Sequence, residues 1–247
     1  MSKLLSKKEL ERYSRQILID GFGNKGQEKL KKATVFIAGA GGLGSSCAMY
    51  LAAAGVGNIK ICDCDKTELS NLNRQILHGE SKIGVNKAIS AKITLAKINQ
   101  DVNIEAIEKK ITEKNIYQLV GNSQIIVDCM DNFSTRFILN KCSKIKKIPL
   151  VHGSVYGLEG RLTFVKIPET PCLKCVFPVP PPKKIFPVLG ATPGIIGCLQ
   201  AMEVIKYIVS IGENIKKRLL IFDGRNMTFS EMPISKNPKC PICGRIK

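Results

Sequence analysis

The segment at residues 34–44 constrains the fold of this chain more than any other. An apolar run at residues 34–38 leads directly into the sequence Gly-Ala-Gly-Gly-Leu-Gly at residues 39–44. Glycines with this spacing allow a tight turn, the approach of a phosphate to the backbone, and close packing of the next helix on its strand. The segment therefore predicts a strand, a phosphate-binding turn and a helix at residues 45–54.

Asp63 follows the next predicted strand, at residues 59–62. A carboxylate about 20 residues beyond such a turn can accept hydrogen bonds from the hydroxyls of a ribose. The glycine spacing by itself fits any dinucleotide enzyme, and a purely structural turn is the alternative. Because strand, turn, helix and acidic residue follow one another in order, we predict a nucleotide site.

Apolar strands alternate with helices through the first part of the chain, and this alternation indicates a parallel sheet with helices on both faces. Further helices are predicted at residues 6–18, 24–32, 87–98, 113–120, 133–146 and 194–211, and further strands at residues 103–107, 124–127, 149–152, 161–167, 219–222 and 227–232. Proline-rich residues 177–187 exclude a helix or inner strand and predict an exposed crossing segment. We predict one Rossmann-like α/β domain, residues 1–247, extended by antiparallel strands.

The chain is strongly basic, with a net charge of +18 from 38 Lys and Arg against 20 Asp and Glu. This excess favours an acidic protein partner or an RNA, although no arginine-rich stripe marks a nucleic-acid face and solubility alone is an equal alternative. No apolar run reaches the roughly 18 residues that span a bilayer. The beginning of the chain has no secretion signal, so a cytoplasmic protein without a membrane partner is predicted.

Four of the ten cysteines form two C-x-x-C pairs, Cys172 with Cys175 and Cys240 with Cys243. In a reducing compartment such pairs favour metal binding over disulfides. A redox pair and an iron–sulfur site are the alternatives. Neither pair is predicted to open a helix, as a redox pair does, so we predict a closed zinc clamp of four cysteines that ties the end of the chain to the crossing segment.

A polar tract at residues 63–75 stands where a dehydrogenase would continue directly into a helix. Arg74 and the later Lys87 could stabilise charge on a triphosphate as pyrophosphate leaves. Asp131 follows a buried strand, where ligands bind in open α/β sheets, and its carboxylate suits Mg²⁺. The alternatives are a solvated face for the two cations and a helix N-cap for Asp131 or Asn132.

These motifs, together with Arg-Tyr-Ser-Arg-Gln at residues 12–16, resemble the ThiF/MoeB/HesA family of adenylyltransferases, relatives of ubiquitin-activating enzymes. The resemblance covers about residues 10–243. It implies a homodimer that uses ATP and Mg²⁺ to adenylate the C-terminal glycine of a small ubiquitin-like sulfur-carrier protein ending in Gly-Gly. A separate protein would then donate sulfur, as in thiamine or molybdopterin biosynthesis.

The resemblance also implies roles for particular residues. Residues 1–156 would bind the nucleotide and residues 157–247 the carrier, whose tail would thread along a crossover loop at residues 176–193. Arg15 would reach the phosphates of the other protomer and, with Arg74, Lys87 and Asp131, would be catalytic. The implied nucleotide-site residues are Gly39, Gly41, Gly42, Gly44, Asp63, Asp65, Ser70, Asn71, Leu72, Asn73, Arg74, Lys87, Asp131 and Asn132.

In one respect the chain departs from part of this family. Members that form a covalent sulfur or thioester link carry a cysteine in the crossover loop, and this chain has none between Cys175 and Cys198. Cys198 is expected to be buried in a helix, and His78 and His152 to be structural, so we predict adenylation only. The other functions considered are adenylation of a modified base in tRNA, an NAD(P) oxidoreductase and a non-catalytic nucleotide-binding module.

Overall fold

A computed structural model of the chain describes residues 5–179 and 186–244. These residues form one eight-stranded sheet with the strand order β3-β2-β1-β4-β5-β6-β7-β8. The strands are β1 (Thr34–Ala38), β2 (Asn58–Cys62), β3 (Asn103–Ile107), β4 (Ile125–Asp128), β5 (Leu150–Tyr156), β6 (Glu159–Val165), β7 (Arg218–Asp223) and β8 (Thr228–Pro233). The first five strands in this order are parallel and the last three are antiparallel extensions, which confirms the predicted fold class.

Helices connect the parallel strands, as right-handed crossovers require. The helices of the described chain are α1 (Lys7–Arg12), α2 (Ser14–Ile17), α3 (Gly23–Lys32), α4 (Gly42–Ala53), α5 (Lys87–Ile98), α6 (Ile116–Val120), α7 (Phe133–Lys146), α8 (Leu173–Val176) and α9 (Ala191–Val209). Of these, α4, α5, α6 and α7 connect consecutive parallel strands. Two short 3₁₀ helices, Leu69–Asn71 and Glu80–Lys82, lie between β2 and α5.

The core lies on both faces of the sheet. Along β1, Val35 and Ile37 join one buried cluster, and Phe36 and Ala38 join the other. This alternation follows from the two-residue period of side chains along a strand. Helices α4, α5 and α9 cover the first face, and α6, α7 and α8 cover the second.

Several helix boundaries differ from the predicted ones, including the starts of α3, α6 and α9. The first predicted helix is interrupted at Tyr13, whose ring is buried and whose hydroxyl accepts a hydrogen bond from Asn99. Helix α4 begins at Gly42, three residues before the predicted start. A Cβ at Gly42 would lie 3.0 Å from Pro193 on α9, so close helix packing favours glycine there despite its low helix propensity.

The crossing segment is described only at its ends, because residues 180–185 lie outside the described residues. Beyond them, Val188 forms an isolated bridge with Gly157, and α9 begins at Ala191. Within the described parts of the chain, none of the helices has both the length and the apolar character needed to cross a membrane.

Candidate functional site

The glycine turn lies where the neighbouring strands β1 and β4 end. Gly39 has a φ of +99°, and a Cβ there would lie 2.8 Å from the carbonyl oxygen of Cys129. At Gly44, a Cβ would lie 2.0 Å from the carbonyl oxygen of Gly39. Gly41 is less crowded, since the closest atom to a Cβ there is Nε2 of Gln75 at 3.7 Å. The turn therefore requires glycine at positions 39 and 44 for its own packing, whereas Gly41 is less crowded.

Asp63 is fixed against this turn by two main-chain hydrogen bonds. Its Oδ2 accepts the N–H of Ala40 at 2.8 Å, and its Oδ1 accepts the N–H of Asp65 at 2.9 Å. Burial raises the pKa of Asp63, although these amides and Lys87 oppose the shift. Each carboxylate oxygen keeps a second acceptor position, so the side chain can still receive a ribose hydroxyl.

Lys87 is the first residue of α5 and is only 8% exposed. Its Nζ lies 3.7 Å from Oδ2 of Asp65, whose side chain is 69% exposed. Among the described residues, this buried ammonium group makes one long ion pair, to a solvated carboxylate, so its charge is only partly compensated. An anion such as a phosphate would complete its environment.

The polar tract folds back on itself around Arg74. The Arg74 Nη1 donates to the main-chain oxygen of Ser70 at 2.8 Å and to Oδ1 of Asn73 at 2.9 Å. Asn71 is buried, and its side-chain oxygen accepts the N–H of the residue three positions earlier. Leu72 is half-buried. The tract thus presents Arg74, Ser70 and Asn73 toward solvent, while Asn71 stabilises the turn.

Asp131 and Asn132 follow β4 and differ in their surroundings. Asp131 is exposed, and its Oδ1 accepts one hydrogen bond, from Asn132 Nδ2 at 3.2 Å. Asn132 is the N-cap of α7, and its Oδ1 accepts the N–H of Thr135 at 2.9 Å. The helix-cap alternative therefore describes Asn132, whereas the exposed carboxylate of Asp131 accepts no other hydrogen bond from the residues that the structure describes.

The residues at the start of α9 lie against both the polar tract and the glycine turn. A Cβ at Gly190 would lie 2.1 Å from the main-chain oxygen of Asn73 and 3.2 Å from the Cα of Arg74. Gly42 of the turn packs at the same place, with a hypothetical Cβ 3.3 Å from the main-chain oxygen of Arg74. The end of the crossing segment, the arginine tract and the glycine turn are therefore in direct contact.

We expect Gly190→Ala to disturb the site without unfolding the protein. The added methyl group must displace main chain at Asn73 and Arg74, and misplacing a phosphate-binding group by about 1 Å can cost about 100-fold in rate. The measurement is the rate of the predicted adenylation at increasing ATP. Gly194→Ala is the control, because a Cβ there meets nothing within 4 Å. Equal rates for the two variants would contradict the expectation.

Arg15 is not joined to the turn within the described chain. It is exposed on α2 and makes no hydrogen bond or ion pair with any residue that the structure describes. Its predicted role needs a second protomer and stays a prediction.

The four cysteines of the two C-x-x-C pairs come together. Their sulfurs lie within 4.8 Å of one another, with 3.6 Å between Cys172 and Cys240 and 3.3 Å between Cys175 and Cys243. The prediction that neither pair opens a helix was wrong. Cys172 is the N-cap of the short helix α8, because the N–H of Cys175 closes a turn onto its main-chain oxygen. The convergence of four thiols, which a two-cysteine redox site does not need, is what favours a metal.

Sequence reasoning missed a buried charge cluster beside Asp131. Asp128, His152 and Arg136 are buried together, and His152 Nδ1 lies 2.7 Å from Asp128 Oδ2. Only the pairing of β4 with β5 places Asp128 opposite His152, and no sequence spacing signals this contact. The other histidine, His78, is buried against the turn, with Nε2 2.9 Å from the main-chain oxygen of Ala40.

Cys198 lies in α9 and is half-buried rather than fully buried as predicted. Burial raises the pKa of its thiol, which lowers the fraction of reactive thiolate. Cys129 is buried next to the glycine turn, with its sulfur 3.6 Å from Gln200 Oε1. Neither thiol has the surroundings of an activated nucleophile.

Comparisons with known proteins place the chain among its relatives. The family model described as the ThiF family matches residues 13–242. The SAMP-activating enzyme E1 of Haloferax volcanii is 41% identical over 250 residues, which cover 99% of this chain and 92% of that protein. The adenylyltransferase and sulfurtransferase MOCS3 of Drosophila persimilis is 42% identical over 246 residues. That match covers 97% of this chain but only 54% of MOCS3, so this chain spans about half the length of MOCS3.

Solved structures show the same fold. The crystal structure of E. coli MccB with MccA-N7isoASN has a TM-score of 0.87 at 24% identity, covering 99% of this chain and 77% of that one. The structure of PaaA has a TM-score of 0.80 at 27% identity, covering 96% and 77% respectively. With the family model matching nearly its whole length, the chain belongs to the ThiF family and is an adenylyltransferase.

Proposed function

We propose that this chain uses ATP to adenylate the C-terminal glycine carboxylate of a small ubiquitin-like sulfur-carrier protein. The observation that carries the proposal is the 41% identity to the SAMP-activating enzyme E1 over nearly the full length of both proteins. The partly compensated Lys87, whose charge acts on Asp63 next to the glycine turn, supports a nucleotide with several phosphates. Neither observation favours an NAD(P) oxidoreductase.

The proposed roles follow the surroundings of each group. Asp63 would bind the ribose, the glycine turn would lie along the phosphates, and Arg74 with Lys87 would neutralise the departing pyrophosphate. Asp65, an exposed partner of Lys87, would keep that lysine oriented until phosphate binds. The remaining proposed nucleotide contacts are Gly39, Gly41, Gly42, Gly44, Ser70, Asn71, Leu72, Asn73, Asp131 and Asn132.

The chemistry needs few groups from the protein. The carrier's carboxylate is already ionised near neutral pH, so it can attack the α-phosphorus without a general base. Pyrophosphate leaves and the carrier becomes an acyl-adenylate. The chain's own residues align the two substrates and offset the charge that develops. This accounts for a site with cations and amides but no activated thiol or hydroxyl.

Two metal ions belong to the proposal, and the donor groups fit both. Asp131 offers an exposed oxygen ligand of the kind that Mg²⁺ prefers, and Mg²⁺ bound there would neutralise phosphate charge. The four thiols offer a closed sulfur site typical of structural Zn²⁺. Zn²⁺ would hold the end of the chain at α8, away from the chemistry.

We further propose that the enzyme is a homodimer in which Arg15 of the partner subunit reaches the phosphates. Residues 1–156 would bind the nucleotide and residues 157–247 the carrier, with the loop at residues 176–193 guiding its tail. A separate protein would supply sulfur, because the thiols of Cys129 and Cys198 are not activated. The unpaired state of all ten cysteines supports the reducing cytoplasm as the compartment.

ATP–pyrophosphate exchange tests the proposed function. The purified chain is assayed with candidate carriers ending in Gly-Gly, with the same carriers lacking the last glycine, and with tRNA. We expect exchange only with an intact carrier. Exchange that needs tRNA would instead indicate adenylation of a modified base, and no exchange with any cognate carrier would overturn the proposal.

A further inference from the structure

The buried cluster beside the site contains three ionisable side chains that the proposed chemistry does not use. Asp128 and His152 are both fully buried, and Arg136 on α7 is 6% exposed. The Nε of Arg136 lies 3.8 Å from Asp128 Oδ2, the same oxygen that pairs with His152. Such burial is costly unless the groups compensate one another, and here one carboxylate faces one guanidinium.

The protonation pattern of the cluster follows from its contacts. Burial lowers the pKa of His152, so its imidazole is neutral and donates Nδ1–H to Asp128. The negative charge of Asp128 is then balanced by Arg136, and His152 only orients the carboxylate. Phe177 lies edge-on against the His152 ring at 5.4 Å and closes that side.

The cluster holds one particular piece of main chain. Asp128 Oδ1 accepts the N–H of Met130 at 3.1 Å, and Arg136 Nη2 donates to the main-chain oxygen of Met130 at 2.5 Å. On α9, Gln200 Nε2 donates to the main-chain oxygen of Asp128 at 2.8 Å. The last main-chain bond to the sheet is the Cys129 N–H to the oxygen of Ala38 at 2.9 Å. Beyond it, α7 has not yet begun, and side chains hold the main chain of Met130.

Asp131 is the next residue in the chain after Met130. Its backbone continues from the clamped Met130, while its side chain is exposed and bonded only to Asn132 within the described chain. A free carboxylate on a fixed backbone is the arrangement that supporting residues give to a metal ligand.

We infer that Asp128, His152 and Arg136 are positioning residues that clamp the main chain of Met130 and so aim the Asp131 carboxylate at a divalent cation bound with the nucleotide phosphates. The inference rests on the proposed function. It adds that affinity for the cation depends on groups that never touch it.

Arg136→Met tests the inference, because methionine fills similar space without the donor to Met130. The probe is Mn²⁺, whose binding is followed by electron paramagnetic resonance in the presence of a non-hydrolysable ATP analogue. We expect Mn²⁺ affinity to fall about 10- to 100-fold, the usual cost of losing an outer-shell partner. Affinity for the analogue without metal should not change. Carrier-dependent exchange should require correspondingly more Mg²⁺.

Glu203→Gln is the matched control for lost stability. Glu203 is also a buried acid, 2% exposed; its Oε1 is paired with Lys206, and its Oε2 accepts the N–H of Ile215 at 2.8 Å. It makes none of the contacts that hold Met130. We therefore expect it to lower the melting temperature and leave Mn²⁺ affinity unchanged.

The outcomes separate the inference from the proposed function. If the wild-type chain shows no carrier-dependent exchange, the proposed function fails and the inference fails with it. If the wild type is active but Arg136→Met binds Mn²⁺ as the control does, the inference alone is overturned. If Arg136→Met does not fold, Asp128→Asn decides by the same measurement. Asparagine loses the charge facing Arg136 and so releases the guanidinium that donates to Met130. Mn²⁺ affinity should therefore fall in this variant too, and an unchanged affinity overturns the inference.

Discussion

Replacing Arg74 with alanine is expected to lower carrier-dependent ATP–pyrophosphate exchange by about 100- to 1,000-fold, the usual cost of removing one group that stabilises transition-state charge. The guanidinium of Arg74 already contacts Ser70 and Asn73 at the edge of the site. It is therefore preorganised and needs little ordering when phosphate binds. The loss should fall mainly on the maximal rate, with a smaller change in apparent ATP affinity.

Two further variants make this prediction specific. Arg74→Lys keeps the charge but not the planar fork, so its rate should lie between those of the wild type and Arg74→Ala. Arg218→Ala is the control, because Arg218 pairs with Glu231 on the antiparallel extension, outside the site. An Arg74→Ala enzyme as fast as Arg218→Ala would remove the arginine from the proposed mechanism.

Replacing Cys240 with serine is expected to abolish stoichiometric zinc and to lower the melting temperature by about 10 °C or more. Structural zinc contributes about 10–16 kcal/mol in isolated peptides, and in a domain of this size each kcal/mol corresponds to about 2–4 °C. A shift of this size needs the loss of only part of the zinc-binding free energy. The folded α/β core, which does not depend on zinc, keeps the rest of the domain intact. Zinc analysis of the purified protein and calorimetry measure the two effects.

The control for this variant is Cys64→Ser, which removes an exposed thiol outside the cluster. It should keep its zinc and its melting temperature. Treatment of the wild type with a strong chelator should reproduce the Cys240→Ser result. A wild-type protein that binds no zinc, or a Cys240→Ser variant as stable as Cys64→Ser, would refute the structural-zinc proposal.

Local patterns predicted most of the elements of the fold. The capping box at Ser6 and Glu9 opens α1, and the apolar run at residues 34–38 is β1. Helices α5 and α7 begin and end at the predicted residues, because local periodicity and capping residues define both ends. Boundaries failed where distant contacts decide them, as at Tyr13 and at the start of α4, and the short helix α8 was not predicted at all.

In the candidate site, too, features with local sequence signals could be predicted, and features that depend on distant contacts could not. The glycine turn, Asp63 and the cysteine pairs have local spacings that follow from the chemistry they serve, so the sequence by itself pointed to them. The contact of Gly190 with the arginine tract joins residues far apart in the chain, and so does the pairing of Asp128 with His152.

The amino-acid sequence by itself determined the fold class, the phosphate-binding turn and the family resemblance, since each depends on neighbouring residues or short periods. Only the tertiary structure decided that Lys87 is buried with a long ion pair to an exposed carboxylate, that four thiols converge, and that a buried cluster holds the main chain before Asp131. The physical reason is that burial and charge compensation depend on the register of the strands and the packing of α9, which no local pattern encodes.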